Sequence, residues 1–172
     1  MALFTAVKAQ GTVTGASTWI VDGDTLQIGS TTYRFKNTPA QLNDIYVQSS
    51  GTSAHTDTAL ANLVAAINGT GTAGATTFYT GTLKHKQVKA AVGTVAHTVI
   101  FTALNPGTVG NLITFVATSS GLTVDAAVLG TTTAGTGDGN ADIVGFVTYC
   151  QTYVQNNSHM EKLLEEAYAA LA

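Results

Sequence analysis

The sequence predicts an α+β fold that is predominantly β: an antiparallel β-sandwich or barrel with one packed amphipathic helix and a C-terminal helical segment. Three observations carry this. Short runs of alternating apolar and polar residues, punctuated by Gly-containing turns, recur from Thr18 to Leu129. Within that stretch Leu60, Leu63, Val64 and Ile67 fall at helical spacing on one stripe. After Gly139 the composition shifts, and all three glutamates gather near the end. At 172 residues the chain suits one domain with a small addition, read as a β-rich body over residues 1–139 and a helical appendage over 140–172.

Each element follows from a local pattern. From Thr18 to Lys36, Trp19 and Val21, then Leu26 and Ile28, then Tyr33 and Phe35 alternate with polar neighbours, as paired strands require. Gly23 between Asp22 and Asp24 makes one turn and Gly29-Ser30 the next, so a hairpin is expected. A third extended run covers Asp44–Gln48. The helix is expected from about Asp57 to Asn68, capped by Thr56 or a neighbour and stopped by Gly69. Further strands are expected at Thr76–Thr82, Gln87–Val92, Val95–Ala103, Leu112–Thr118 and Leu122–Leu129.

The Gly-rich stretch GTTTAGTGDGN reads as a linker. Beyond it Ile143, Val147, Cys150 and Val154 approximate helical spacing, while their β-branched neighbours leave a strand open. Ser158 followed by Glu161 forms a capping box, and Met160, Leu163, Leu164, Ala167, Tyr168 and Leu171 define an apolar stripe. A helix over His159–Leu171 follows. A helix that short is marginal alone in water, so Leu163, Leu164, Tyr168 and Leu171 are expected to form an assembly interface, either within the chain or between copies.

Charge is scarce. Only 10% of residues are charged, against about 25% in a typical soluble domain. A compact monomer of this mass exposes roughly 7,900 Å², leaving about one charge per 470 Å². Solubility of a free monomer leans on a denser mix, so much of the surface is expected to face copies of the chain or other proteins. The net charge of −3 opposes a general grip on a phosphate backbone, so nucleic acid is not an expected partner. No run approaches a membrane span and no signal-like start is present, so no membrane partner is expected either. The single Cys150 excludes an intramolecular disulfide and a multi-cysteine zinc site.

Candidate chemistry is sparse too. Asp22 and Asp24 could ligate a metal, but the next carboxylate, Asp44, is far along the chain, and a turn role is the better reading. The glycines Gly69, Gly71 and Gly74 match a dinucleotide-loop spacing, yet they close a helix and precede a strand, the reverse of what phosphate binding needs. Lys84, His85, Lys86 and Lys89 form the one basic cluster, which could bind an anion but also suits an edge strand guarded against aggregation. His55, His97 and His159 show no metal-ligand spacing. Neither an enzyme nor a cofactor is expected. The aromatic rings of Trp19, Tyr33, Tyr46 and Tyr79 could stack on sugars, which makes a host-surface glycan-binding module the alternative function.

The order of motifs resembles a β-rich module of tailed-bacteriophage virion proteins, found in tail sheath proteins and in small stand-alone structural proteins. The residues that carry the likeness are DGDTLQIGSTTYRF, TALANLVAAIN, NPGTVGNLITF with Gly107, Gly110 and Asn111, and GLTVDAAVLGTTTAG. It covers roughly Ile20 to Gly139. The resemblance implies a module for assembly or display on a virus particle, with copies of itself and other virion proteins of capsid or tail as partners, the virion as location, and no catalytic residues to transfer. The chain is too short to hold the other domains of a tail sheath, which points to a separate accessory protein.

Overall fold

A computed structural model describes residues 6–17, 19–49 and 52–137. In chain order its elements are β1 (Gln10–Gly15), β2 (Thr25–Ile28), β3 (Thr31–Lys36), β4 (Asp44–Tyr46), α1 (Ser53–Asn68), β5 (Val88–Val92), β6 (Thr98–Ala103), a 3-10 turn over Thr108–Leu112, β7 (Phe115–Thr118) and β8 (Leu122–Val124). The strands form two four-stranded sheets, ordered β5-β6-β1-β8 and β4-β3-β2-β7. The expected α+β, mostly β architecture is therefore the observed one.

Alternation sets which face each strand buries. Leu26 and Ile28 on β2, Tyr33 and Phe35 on β3, and Val13 on β1 all point into one core. The sheets meet there: Phe101 of β6 packs on Phe115 of β7 with ring centroids 5.1 Å apart and planes tilted by 58°. That tilted geometry suits the quadrupoles of two aromatic rings. β1 approaches the opposite sheet through a glycine, Gly11, where a Cβ would fall 2.7 Å from a Leu129 methyl.

The β2–β3 hairpin forms as its sequence dictates, with Leu26 opposite Tyr33 and Ile28 opposite Thr31. Gly29 closes it at φ +56°. The run Trp19–Val21 is not a strand, because the Val21 amide is taken by the Asp24 carboxylate at 2.9 Å and the backbone turns instead of pairing. β4 ends at Tyr46 and runs parallel to β3, a departure from the all-antiparallel expectation. Parallel neighbours usually need a crossover of a dozen or more residues; here the link is 37–43, and a clamp described below holds it.

α1 begins earlier than its apolar stripe suggests. Thr52 is the extended residue before it, and the Thr52 amide donates to His55 Nδ1 at 3.2 Å. The first turn is polar and mostly exposed, so it leaves no apolar period to read. Thr56, the expected cap, lies inside the helix, fully buried, and donates its hydroxyl to the Ala16 carbonyl at 3.0 Å. The stop is as expected: Gly69 adopts φ +64° and ψ +37°, the left-handed cap conformation that a Cβ disfavours. Leu60, Leu63 and Ile67 are buried, joined by Ala59 and Ala66, while Val64 sits at the core's rim. Burial of the three large side chains stabilises by roughly 1.5 to 3 kcal/mol each before ordering costs.

Later strands are shorter than their apolar runs. The expected Thr76–Thr82 strand reduces to a single bridge between Phe78 and Ile45. Val95 is exposed before β6, and the Thr98 hydroxyl bonds back to its carbonyl at 2.6 Å, making a turn where a strand was expected. Leu112 belongs to the 3-10 turn, and after β8 the chain re-pairs in isolated bridges, Val128 with Thr114, Thr133 with Gln10 and Thr136 with Val7. No helix among the described residues is long and apolar enough to cross a membrane. The boundary at 139/140 and the appendage 140–172 lie outside the described residues.

Candidate functional site

A half-open cleft of about 430 Å³ lies where the β2–β3 turn, the end of the 37–43 link and the segment 81–87 converge. Leu42 and Leu83 form apolar lips, 58% and 75% exposed. Lys84 and Lys86 stand beside them, also exposed, and Tyr33 and His85 are buried at its inner wall. Lys86 and Gln87 also line a smaller cleft of about 130 Å³ with Asn105 and Val109, so the two depressions are neighbours on one face.

Each part is positioned by identifiable bonds. The 37–43 link is clamped by Asp44, which is only 3% exposed. Its Oδ2 accepts from the Ala40 and Gln41 amides, both at 2.9 Å, and its Oδ1 accepts from Arg34 Nε at 2.8 Å. Arg34 Nη2 continues to the Leu42 carbonyl at 3.2 Å. One carboxylate thus gathers the loop, and the loop presents Leu42.

The opposite wall hangs on His85. Its Nδ1 accepts from the Gln87 and Val88 amides at 3.1 and 3.2 Å. Two donors facing Nδ1 place the ring proton on Nε2, which then donates to the Ile28 carbonyl at 3.1 Å. Burial lowers the His85 pKa below 6.5, with the Ile28 bond acting in the opposite sense, so the ring is neutral at pH 7. With both nitrogens committed, His85 is a staple between β2 and the 84–88 segment and not a free base.

Tyr33 is fully buried, and its ring lies 6.3 Å from that of His85. The hydroxyl has no hydrogen-bond partner among the described residues. Burial raises its pKa above 10, so the phenol stays protonated and can only serve as a donor or weak acceptor.

The structure separates the basic cluster named from the sequence. Lys84 and Lys86 precede β5, Lys89 projects from β5, itself the edge of its sheet, and His85 turns inward. None of the three lysines forms an ion pair with a carboxylate among the described residues, whereas Arg34 pairs with Asp44 and Lys36 with Asp22.

Asp22 and Asp24 serve the turn. Asp22 accepts from the Asn37 amide at 2.8 Å and from Lys36 Nζ at 3.0 Å, and these two bonds lower its pKa. Asp24, 5% exposed, takes the Val21 amide at 2.9 Å and the Ser120 amide at 3.3 Å. Among the described residues no group of three or more His, Cys, Asp and Glu could hold a metal ion. Of the four aromatic residues proposed for sugar stacking, Tyr33 offers no exposed face. Trp19 is 39% exposed, and neither it nor Tyr46 nor Tyr79 lines the cleft. Leu163, Leu164, Tyr168 and Leu171 lie outside the described residues.

Compared with known proteins, the chain matches no family model and no curated protein. The site is therefore judged on its own chemistry. It offers apolar lips and two ammonium groups on a stapled frame, an arrangement suited to an amphipathic acidic segment. The sequence missed the cleft because its parts are far apart in the chain; the one available signal was Leu83 beside Lys84, an apolar residue with no buried period to belong to.

Proposed function

We propose that this chain is a non-enzymatic bacteriophage structural protein that decorates the capsid or forms an accessory tail component through homo-oligomeric and virion contacts. The observation that carries the reading is the ordered set of motifs from DGDTLQIGSTTYRF to GLTVDAAVLGTTTAG. The surface supports it. Leu42, Leu83, Val92, Val95, Val109 and Leu112 are each at least 58% exposed, on a chain only 10% charged. Scattered exposed apolar residues are ordinary in a monomer; with so few charges between them they suit a protein whose surface is covered by neighbours.

The backbone is arranged to keep those contacts specific. The outer edge of β4 is occupied by the segment around Phe78, through Tyr46 N to Thr77 O at 2.8 Å and Tyr79 N to Asp44 O at 3.0 Å. At the start of β7 the Phe115 amide donates to Ala127 O at 2.8 Å, and just before it the Leu129 amide donates to Ile113 O at 3.0 Å. Occupied edges discourage strand-to-strand aggregation, so association falls to side chains.

Light scattering of the purified protein and mass spectrometry of purified particles test the proposal together. A defined oligomer and presence in virions are expected. A strictly monomeric protein absent from particles would end this reading. Retention on a glycan array, with the protein in its multivalent state, would favour the glycan-binding alternative instead.

A further inference from the structure

We infer that the face formed by Leu42, Leu83 and Val109, flanked by Lys84 and Lys86, is the receptor for segment 158–172 of a neighbouring copy. The inference rests on the assembly reading above and names its contact.

Complementarity of charge is the first argument. The chain's only glutamates are Glu161, Glu165 and Glu166, all in that segment. The body's Lys84 and Lys86 have no carboxylate partner among the described residues. Apolar matching is the second. The stripe Leu163, Leu164, Tyr168 and Leu171 requires an apolar surface, and the cleft's leucine lips, 58% and 75% exposed, supply one. The third is where the chain goes. The described body ends at Gly137, whose carbonyl accepts from Thr108, the residue beside Val109. Twenty residues, 138–157, then separate it from the segment. Twenty residues span about 30 Å if wound as a helix and up to roughly 70 Å if fully extended, so the length suffices to reach the next subunit's surface.

A receptor on one copy engaged by the segment of the next, rather than by the same patch, makes a heterologous contact. Repeated with rotation, such contacts close into rings or continue as filaments. Either form suits an accessory layer of many identical copies.

The test uses the full chain with Cys150→Ser as background. Leu83→Cys is placed in one population and Leu164→Cys in another, and the two are mixed under mild oxidation. The expected product is a disulfide-linked pair of unlike chains. Lys84→Glu with Lys86→Glu should raise the concentration at which the oligomer dissociates at least tenfold, and Glu161→Lys with Glu165→Lys in the same chain should restore it. A single chain carrying both cysteines, diluted in cysteine-free protein, reports self-docking. A link formed only within that chain overturns the inference. So does an oligomer that is indifferent to the lysine reversals and yields no mixed disulfide, an outcome that leaves the assembly reading standing. A protein that is monomeric before any substitution fails both, which keeps the two failures distinct.

Discussion

The side-chain amide of Asn68 pairs with the backbone of Ala90 as though it were another strand. Asn68 Nδ2 donates to the Ala90 carbonyl at 2.8 Å, and the Ala90 amide donates to Asn68 Oδ1 at 3.0 Å. β5 is the outer strand of its sheet, so these are groups that no neighbouring strand would satisfy. The last residue of α1 thereby seals an edge, and the helix is tied to the sheet it packs against.

Asn68→Asp should expose that edge with almost no change of shape. The carboxylate can still accept from the Ala90 amide but turns an acceptor toward the Ala90 carbonyl. A loss of about 1 to 3 kcal/mol is expected, read as a lower denaturant midpoint at unchanged slope, together with faster aggregation on warming. If the variant matches the parent in both, the amide does not guard the edge.

Much of this fold is legible in the sequence, and the division has a physical basis. The hairpin from Leu26 to Phe35 and the Gly69 stop rest on local rules, namely side-chain alternation and positive φ, and both appear where expected. The start of α1 was missed because Ser53, Ala54 and His55 bury no apolar face. Val95 and Leu112 look like strand residues in composition, yet turn hydrogen bonds and a 3-10 segment hold them outside the sheets. The cleft was unreadable for a different reason: Tyr33, Leu42 and His85 meet only through tertiary structure, and nothing about His85 in a lysine-rich stretch announces that it is buried.

Asp44 should be the costliest carboxylate to remove. Asp44→Ala leaves the Ala40 and Gln41 amides and the Arg34 guanidinium without their acceptor, and about 2 to 4 kcal/mol of stability should be lost. Hydrogen exchange gives the local check. Amides of residues 40–44 should lose protection more than those of β1 and β6. A uniform loss would mean that Asp44 supports the whole body and not the loop.

His85 makes stability depend on pH in a stated direction. Its folded pKa lies below the unfolded value of 6.5 because burial disfavours the cation. Between those two values the unfolded chain binds more protons, so the contribution is fully present above about pH 6.5 and is lost as pH falls through the folded value. Protonation of Nδ1 would also set a proton against the Gln87 and Val88 amides. Urea midpoints measured from pH 8 to pH 5 should therefore fall, and His85→Ala, less stable at every pH, should show a flatter slope across the same range. An unchanged slope in that variant would assign the effect to other groups.

Tyr33→Phe tests the orphaned phenol at the cleft wall. The ring is fully buried and would keep its packing, since phenylalanine differs only by the missing oxygen. Removing a paired buried hydroxyl costs about 0.5 to 1.5 kcal/mol, whereas removing one that pays desolvation without a bond can be neutral or stabilising. The hydroxyl here has no partner among the described residues, so a change between zero and about 1 kcal/mol in favour of the variant is expected. Alkaline behaviour supplies an independent reading. Burial raises the Tyr33 pKa above its ordinary 10, so the parent's stability from this group is fully present below pH 10 and is lost as pH rises toward the folded value. The phenylalanine variant should therefore resist base better than the parent. A variant that loses more than about 1 kcal/mol at pH 7 would mean that the hydroxyl is held by an acceptor and is not orphaned.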